Sequence, residues 1–276
     1  MENQRIHSTD YALLNLYKIG AITATILSML MSIVLFAKNM QEGTRYFQST
    51  SAVKCTLVIF AINVCFAATA FIVFRRGESR PVIDMGLLKY TFAFPAVAAA
   101  ACIFSTLYGE AFTSIHALML VCALGSILFA LSHIINIPAS ASIISAYVQL
   151  AFYLLIISRL YVDFSVEMNA PIKVFIQLTA AVAMINTLSD VRFFIGRESV
   201  RLFSFSKISF LILAVFTFVS ALIEVAPDIS RYGKDYIIFP FYFMCACIPN
   251  AIQFFVSVLE ARKQDTAPAN SEASEV

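Results

Sequence analysis

The sequence is short of charged residues and has no tryptophan. Only 13% of its 276 residues are charged, whereas 60% are hydrophobic, and the mean hydropathy is +0.83. About a quarter of the residues of a soluble domain are charged, so this composition excludes a soluble globular protein. Without tryptophan, the aromatic belt of a membrane protein has to come from tyrosine, and Tyr17, Tyr90, Tyr161 and Tyr236 lie near the ends of apolar segments.

The sequence also lacks the motifs that carry catalysis in many enzymes. It has no His-Glu-x-x-His motif, no Gly-x-Ser-x-Gly motif and no phosphate-binding loop. No acidic residue is predicted at the middle of an apolar segment, where an intramembrane enzyme or an ion-coupled carrier would need one. We therefore predict a protein that is not an enzyme and has no catalytic residues.

The sequence contains no set of residues with the spacing of a metal or cofactor site. The six cysteines all fall in apolar segments, and none has the C-x-x-C spacing of a zinc site. His116 and His133 would lie about 25 Å apart on one helix, too far to hold one metal or haem together. We expect no metal and no cofactor. The net charge of +2 is spread over many loops, so we expect no nucleic-acid partner either.

What the sequence does contain is eight apolar segments that are each long enough to cross a bilayer as a helix. A crossing takes about 20 helical residues, whereas a barrel strand takes about ten residues of alternating polarity. The predicted fold class is therefore all-α: a polytopic membrane helix bundle of about eight transmembrane helices, in contact with the lipid bilayer. The predicted spans lie near 17–37, 53–74, 88–108, 112–132, 139–159, 171–192, 205–225 and 236–259.

The distribution of basic residues predicts the orientation of this bundle. Cytoplasmic loops retain lysine and arginine, and eight crossings place both termini on one side. Most of the basic residues fall on that side, so both termini are predicted to be cytoplasmic. The N-terminus lacks the features of a cleaved signal peptide. Residues 261–276 have no apolar periodicity, and we expect them to form a disordered cytoplasmic tail.

Two loops on the predicted cytoplasmic side are basic. Arg75, Arg76 and Arg80 follow the second span, and Arg197 and Arg201 follow the sixth. Each basic residue near a membrane surface attracts anionic lipid headgroups by about 1 kcal/mol. These five arginines are therefore predicted lipid-headgroup contacts, although their role in setting the topology explains them as well.

Several landmarks recur at nearly one offset along the chain. Lys54 and Lys173 open the second and sixth spans, and Glu-Ser pairs at 78–79 and 198–199 follow the same two spans. The pattern predicts two four-helix repeats, 1–134 and 135–260. Four spans per copy would give both copies the same orientation, which is a parallel repeat. The alternative is that membrane segments resemble one another through their biased composition.

Polar side chains inside the spans are the candidate functional residues, because a polar group in lipid is costly. Gln149 lies on a polar face of the fifth span, Asn186 on one of the sixth, and Asn250 and Gln253 lie together in the eighth. These four amides are predicted substrate contacts. The alternative is that they hydrogen-bond neighbouring helices and serve packing only.

Pro249 and Asp190 lie near these amides in the sequence, and a contact is predicted for each region. Pro249 removes a backbone donor and frees the carbonyl four residues earlier, and Asn250 or Gln253 is placed to bond it. Asp190 is predicted near the cytoplasmic end of the sixth span, either solvated or paired with an arginine.

The stretches YVDFSVEMNAPIK at 161–173 and VRFFIGR at 191–197 resemble a set of uncharacterised multi-spanning membrane proteins from anaerobic Gram-positive bacteria. The resemblance implies a location in a bacterial cytoplasmic membrane. It implies no residue roles.

Three functions remain open on these grounds. The favoured one is a non-enzymatic scaffold, sensor or accessory subunit with a membrane protein partner. The alternative is a carrier for a small neutral or amphipathic molecule, bound between the two repeats. A cavity that brought Gln149, Asn186, Asn250 and Gln253 together would favour the carrier, whereas the same amides buried in separate helix contacts would exclude it. The third, an enzyme acting on lipid at the cytoplasmic rim, needs converging carboxylates or a histidine that the sequence does not show.

Overall fold

A computed structural model describes residues 2–41, 46–74, 79–108, 114–135, 137–197 and 199–261 of the chain. Within these ranges eight helices are long and apolar enough to cross a membrane, and they pack as a bundle. The predicted all-α fold class and number of spans are therefore confirmed. Arg75, Arg76 and residues 262–276 of the predicted tail lie outside the described residues.

The spanning helices are joined by short segments, some of which are helical themselves. In chain order the elements are α1 (Glu2–Lys38), α2 (Ser51–Ala68), α3 (Ala70–Val73), β1 (Ser79–Val82), α4 (Ala93–Leu107), α5 (Ser114–Ser132), α6 (Ala139–Val162), α7 (Pro171–Phe194), α8 (Val200–Glu224), α9 (Ile229–Tyr232), α10 (Asp235–Val256) and β2 (Val258–Ala261). Helix α3 continues α2 after a break at Thr69, and a 3₁₀ helix, Gly86–Phe92, leads directly into α4.

Local sequence signals explain where several helices begin. The side chain of Thr50 accepts a hydrogen bond from the backbone N–H of Val53 at the start of α2, and Ser199 does the same for Leu202 at the start of α8. Pro171 occupies the first turn of α7, where its missing N–H costs nothing. Gly196, with a φ of +69°, makes the turn that brings α8 back along α7.

Among the described residues, six spanning helices close a ring. Helices α4, α5, α6, α7, α8 and α10 each pack on the next, and α10 packs back on α4. Helix α10 also contacts α7 across the ring. Helix α1 lies outside the ring along α8, and α2 packs on both α1 and α8. The space inside the ring is the place where a ligand site can form.

The outer helix α1 is attached to α8 by small polar residues. Ser28 donates a hydrogen bond to the carbonyl oxygen of Ile212 at 2.9 Å, and Ser32 lies 2.8 Å from the hydroxyl of Ser220. Small side chains let two helix backbones approach closely, and hydroxyls bridge them. The polar stripe of the first span therefore makes a helix contact.

Phenylalanine side chains fill the region where α1, α2, α7 and α8 meet. The ring centre of Phe216 lies 4.1 Å from that of Phe60, 4.6 Å from that of Phe175 and 6.2 Å from that of Phe36. Buried aromatic pairs of this kind contribute beyond the area they bury. This cluster joins the two outer helices to the ring.

The outward faces of the helices carry large apolar side chains. Ile62, Ile72 and Val97 are each more than half exposed. Exposed apolar surface of this extent is unstable in water, but it matches the hydrocarbon core of a membrane. The bundle therefore contacts the lipid bilayer.

The eighth span ends earlier than predicted and is followed by a strand. Helix α10 stops at Val256, and β2 pairs antiparallel with β1, with Ser79 opposite Ala261 and Val82 opposite Val258. Lys18 donates hydrogen bonds to the carbonyl oxygens of Phe255 and Ser257, which the helix end leaves without a partner. The eighth span therefore ends three residues before the predicted bound of 259, because residues 258–261 form this strand, and the tail stays a prediction.

The bundle has two ends. The terminal face carries β1, β2 and the turn at Ile195 and Gly196, and the opposite face carries the segment 163–170 and α9. The prediction that both termini are cytoplasmic would place the terminal face in the cytoplasm. The division into repeats 1–134 and 135–260 stays a prediction.

Candidate ligand-binding cavities

A cavity of about 730 Å³ lies at the opposite face of the ring. Its wall comes from the ends of α4, α5 and α6, from the segment that follows α6, and from α9 with the start of α10. Sites for small ligands usually have volumes of about 300–1,000 Å³, so this space suits a small molecule. We call it the outer cavity; its polar lining includes Ser105, Thr106, His116, Ser158, Arg159, Asp163, Lys234 and Asp235.

An ion pair crosses the wall of the outer cavity. The guanidinium Nε of Arg159 in α6 contacts the carboxylate of Asp235 at the start of α10. Their side chains are 21% and 28% exposed, so solvent screens the pair and its contribution to stability is small. A ligand could therefore displace either residue from this ion pair at a small cost in free energy.

A second carboxylate lies beside this pair, at the end of α6. Burial raises the pKa of the Asp163 carboxyl, but hydrogen bonds from Ser165 and Tyr236 outweigh burial, and the resulting pKa lies below its ordinary value. The Ser165 backbone N–H donates to this carboxylate at 2.9 Å. Asp163 is therefore negatively charged at neutral pH.

Lys173 holds the backbone that carries Asp163. Its ammonium donates hydrogen bonds to the carbonyl oxygens of Asp163 at 2.5 Å and Val166 at 3.1 Å, and the residue is fully buried. Carbonyl oxygens satisfy the N–H donors of this buried ammonium, and the negative charge of Asp163 lies close enough to interact with it. This contact fixes one side of the outer cavity to α7.

A second, much smaller cavity lies deeper in the ring. It measures about 20 Å³ and is lined by residues of α4, α5, α6, α7 and α10 together with the 3₁₀ helix. Along α10 its residue Tyr242 lies six positions from Tyr236 of the outer cavity, which is about 9 Å of helix. A volume of this size holds one group as large as a water molecule. We call it the inner cavity.

Three of the four predicted amides line the inner cavity: Gln149, Asn186 and Asn250. Gln149 Nε2 donates to the hydroxyl of Tyr242 at 2.7 Å, and that hydroxyl lies 2.6 Å from Ser126 Oγ. Asn186 Nδ2 donates to Asn250 Oδ1 at 2.9 Å. The structure therefore brings together amides from three different helices.

Two amide oxygens at this cavity accept no hydrogen bond from the described residues. They are Gln149 Oε1 and Asn186 Oδ1, on side chains that are 1% and 3% exposed. Gln253 does not line the inner cavity, because it is buried one helical turn closer to the terminal face. Its Oε1 also accepts no hydrogen bond from the described part of the chain. Buried acceptors of this kind usually bond a water molecule or a ligand.

A buried ion pair adjoins the inner cavity. Lys207 Nζ in α8 donates to Asp190 Oδ1 in α7 at 2.6 Å and to Asn250 Oδ1 at 2.5 Å. The lysine side chain is 0% exposed and the aspartate 7%. This corrects the expectation that Asp190 is solvated or paired with an arginine.

The sequence did contain a signal for this pair. Asp190 lies in the second turn from the end of α7 and Lys207 in the second turn of α8, so an antiparallel hairpin places them at a similar depth. A lysine inside a span requires a partner, and this carboxylate is the one that the hairpin supplies.

Pro249 does not end helix α10, which continues through it. The side-chain amide of Asn250 donates to the carbonyl oxygen of Ala246 at 2.7 Å. The expected partner was the carbonyl that Pro249 frees, which belongs to Cys245. Asn250 instead donates to the carbonyl of Ala246, because the side-chain oxygen of Asn250 is directed at Lys207 and its amide nitrogen then faces Ala246.

Sequence reasoning did not single out the charged residues of the outer cavity as site residues. Arg159, Asp163 and Asp235 lie at the ends of spans, where the topology of the chain already explains a charge. Nothing local in the sequence places the end of α6 beside the start of α10, since their contact depends on closure of the ring.

The described arginines of the predicted headgroup site lie at the terminal face. Arg80 in β1 and Arg197 after α7 are exposed, and Arg201 is half-buried in the first turn of α8. Contact with anionic lipid headgroups stays a prediction for all five arginines, of which Arg75 and Arg76 lie outside the described residues.

The fold and the two cavities define a polytopic membrane protein with an internal polar site. Comparison with protein-family models, curated proteins and solved structures finds no match to this chain. The resemblance to proteins of anaerobic Gram-positive bacteria is therefore not supported by an identified family, and the functional argument depends on the site itself.

Proposed function

We propose that this protein is a non-enzymatic carrier for a small polar or amphipathic molecule. In this proposal the outer cavity admits the solute, and the inner cavity binds one of its polar groups inside the ring. The observation that carries it is the presence of both cavities within one ring, where α6 and α10 contribute to each. Of the functions that the sequence left open, the proposal follows the carrier for a small neutral or amphipathic molecule, in place of the scaffold, and extends its solutes to polar molecules.

The cost of polar groups inside a membrane supports this choice. A scaffold is most stable when apolar side chains fill the space between its helices, because an unpaired buried acceptor costs about 1–3 kcal/mol. Here Gln149 and Asn186 each keep an unpaired oxygen at the inner cavity. A ligand that donates hydrogen bonds to these two oxygens would offset this cost, and its binding explains why the polar side chains are there.

The closed end of the ring also supports a carrier. Between the inner cavity and the terminal face lie Asp190, Lys207 and Asn250, which are buried and bonded to one another. A carrier opens its central site to one side at a time. An outer cavity at one face with a closed polar contact towards the other fits one of these two states.

The resemblance and the basic loops support a location in a bacterial cytoplasmic membrane, with the outer cavity on the external side. In that orientation the carrier would take up solute from outside the cell.

A substitution that fills the outer cavity tests the proposal. Ser158→Trp adds an indole to its lining, and it is expected to reduce uptake of solute into proteoliposomes at least tenfold. The matched control is Leu154→Trp, one helical turn away on the exposed surface of α6 and outside the cavity lining, which should leave uptake unchanged.

A panel of radiolabelled amines, zwitterions, sugars and carboxylates provides the solutes. Uptake of any of them that Ser158→Trp alone removes supports the carrier. Binding without uptake would indicate a sensor instead, and a Ser158→Trp protein that transports like the wild type would contradict the proposed route.

A further inference from the structure

We propose that the inner cavity recognises the primary ammonium group of a small organic amine. The inference deepens the carrier function and rests on it, because it names the class of solute. It is carried by the two unpaired amide oxygens, by the ion pair that orients one of them, and by the aromatic rings around the cavity.

The unpaired atoms require a ligand that donates hydrogen bonds. Gln149 Oε1 and Asn186 Oδ1 are both acceptors and both belong to side chains that line the inner cavity. A carboxylate offers only acceptors and would leave these oxygens unsatisfied. An ammonium group offers three N–H donors and can satisfy both.

The orientation of Asn186 follows from the buried ion pair. The ammonium of Lys207 has only donors, so Asn250 must present its oxygen to it. That same oxygen accepts from Asn186 Nδ2, which leaves the oxygen of Asn186 as its unpaired atom at the cavity. Lys207 thereby makes this part of the lining an acceptor.

Aromatic rings favour a cation over a neutral donor at this position. Phe92, Phe129, Tyr153 and Tyr242 all line the inner cavity. Ring faces attract ammonium groups electrostatically, most strongly where water is excluded. The charge of Lys207 does not oppose this, because Asp190 neutralises it at 2.6 Å.

The sizes of the two cavities indicate an organic amine, not ammonium ion alone. The inner cavity of about 20 Å³ holds a single group of the size of water or ammonium. The outer cavity of about 730 Å³ accommodates a much larger body. A molecule with its amine in the inner cavity and its remaining part directed to the outer cavity uses both, which requires the buried side chains that separate the cavities along α6 and α10, Ile156 and Phe239, to move.

Binding of hexylamine to the purified protein at neutral pH tests the inference. Hexanol and hexanoate have similar chains without the ammonium group, and inorganic ammonium has the group without the chain. We expect hexylamine to bind at least tenfold more tightly than each of the three, measured by equilibrium dialysis and by the ligand-dependent rise in melting temperature.

Variants of the amides separate recognition from folding. Gln149→Leu removes an acceptor and is expected to weaken hexylamine binding about tenfold or more, since hydrogen bonds to charged groups are the strong ones. Gln149→Glu places a carboxylate at the cavity and should bind hexylamine at least as tightly as the wild type. Gln253→Leu, at a buried amide outside the cavity lining, is the matched control and should bind hexylamine like the wild type.

The possible outcomes distinguish this inference from the carrier function. If hexylamine binds no better than hexanol, or if Gln149→Leu binds hexylamine as the wild type does, the amine assignment is wrong. If sodium ions or inorganic ammonium bind as tightly as hexylamine, the cavity is a site for a simple ion and the assignment is wrong as well. Uptake of another solute would then leave the carrier function standing, whereas the absence of binding and uptake for the whole panel would remove both.

Discussion

At the scale of single residues, Lys207 has the widest influence on the interior of the ring. It neutralises Asp190, and it fixes the orientation of Asn250 and through it that of Asn186. A charged residue in a span is costly unless it is paired, so the ion pair and the polar inner cavity depend on one another. Loss of the lysine would therefore affect both stability and binding.

Removing one partner of this pair should destabilise the protein. Lys207→Met leaves Asp190 buried without a counter-charge, and we expect the free energy of unfolding in detergent to fall by about 3–5 kcal/mol. The double variant Asp190→Asn with Lys207→Met should recover most of that loss, because no charge remains buried. Denaturant unfolding measures both, and a Lys207→Met protein as stable as the wild type would show that the pair does not form.

Asp163 gives stability a dependence on pH at the opposite face. Its pKa in the folded protein lies below the ordinary value of 3.8, so its ionised form is stabilised by folding. The contribution is fully present above the ordinary pKa, and it is lost as the pH falls from there through the lowered pKa. We expect Asp163→Asn to melt at a lower temperature than the wild type at pH 7, and the difference to shrink at pH 3. A difference that is the same at both pH values would contradict the assignment.

At the scale of elements, apolar runs and capping residues predicted the helices, and contacts between distant segments decided where some of them end. The eighth span was predicted to run to residue 259, but Lys18 and the strand β1 end it at Val256. These partners lie far away in the sequence, so no local pattern could reveal them. The same holds for the candidate site. The polar periodicity of single helices predicted the four amides. Which of them lie together depends on closure of the ring, which groups three amides and leaves Gln253 out, and no local pattern predicts that closure.

Close packing of α5 against α6 provides a test at this scale. A Cβ atom on Gly125 would lie 2.1 Å from Val148 Cγ1, far inside contact distance. Gly125→Ala gains helix propensity of about 1 kcal/mol, but we expect the clash to outweigh it and to lower stability by about 1–3 kcal/mol. Adding Val148→Ala should relieve the clash and restore the melting temperature. If Gly125→Ala alone is as stable as the wild type, the two helices are not packed this closely.

At the scale of the whole molecule, the described part of the chain combines a ring of six spanning helices with two spanning helices attached outside it. The outward surfaces of the spans are apolar and contact lipid, while Gln149, Asn186, Asn250 and the pair Asp190–Lys207 lie inside the ring. This separation of polar and apolar groups is what the low charge content of the sequence requires. The ring has a ligand-sized cavity at the opposite face and a buried ion pair towards the terminal face, and the proposed function rests on this arrangement.

Solute counterflow across proteoliposomes tests that central claim most directly. Vesicles that contain the purified protein are loaded with an excess of unlabelled hexylamine and diluted into a trace of labelled hexylamine, with protein-free vesicles as the reference for passive leak. A carrier that binds amines predicts a transient accumulation of label that Ser158→Trp and Gln149→Leu abolish and that Leu154→Trp and Gln253→Leu retain. Accumulation equal to that of protein-free vesicles, both for hexylamine and for every other solute of the panel, would contradict the account.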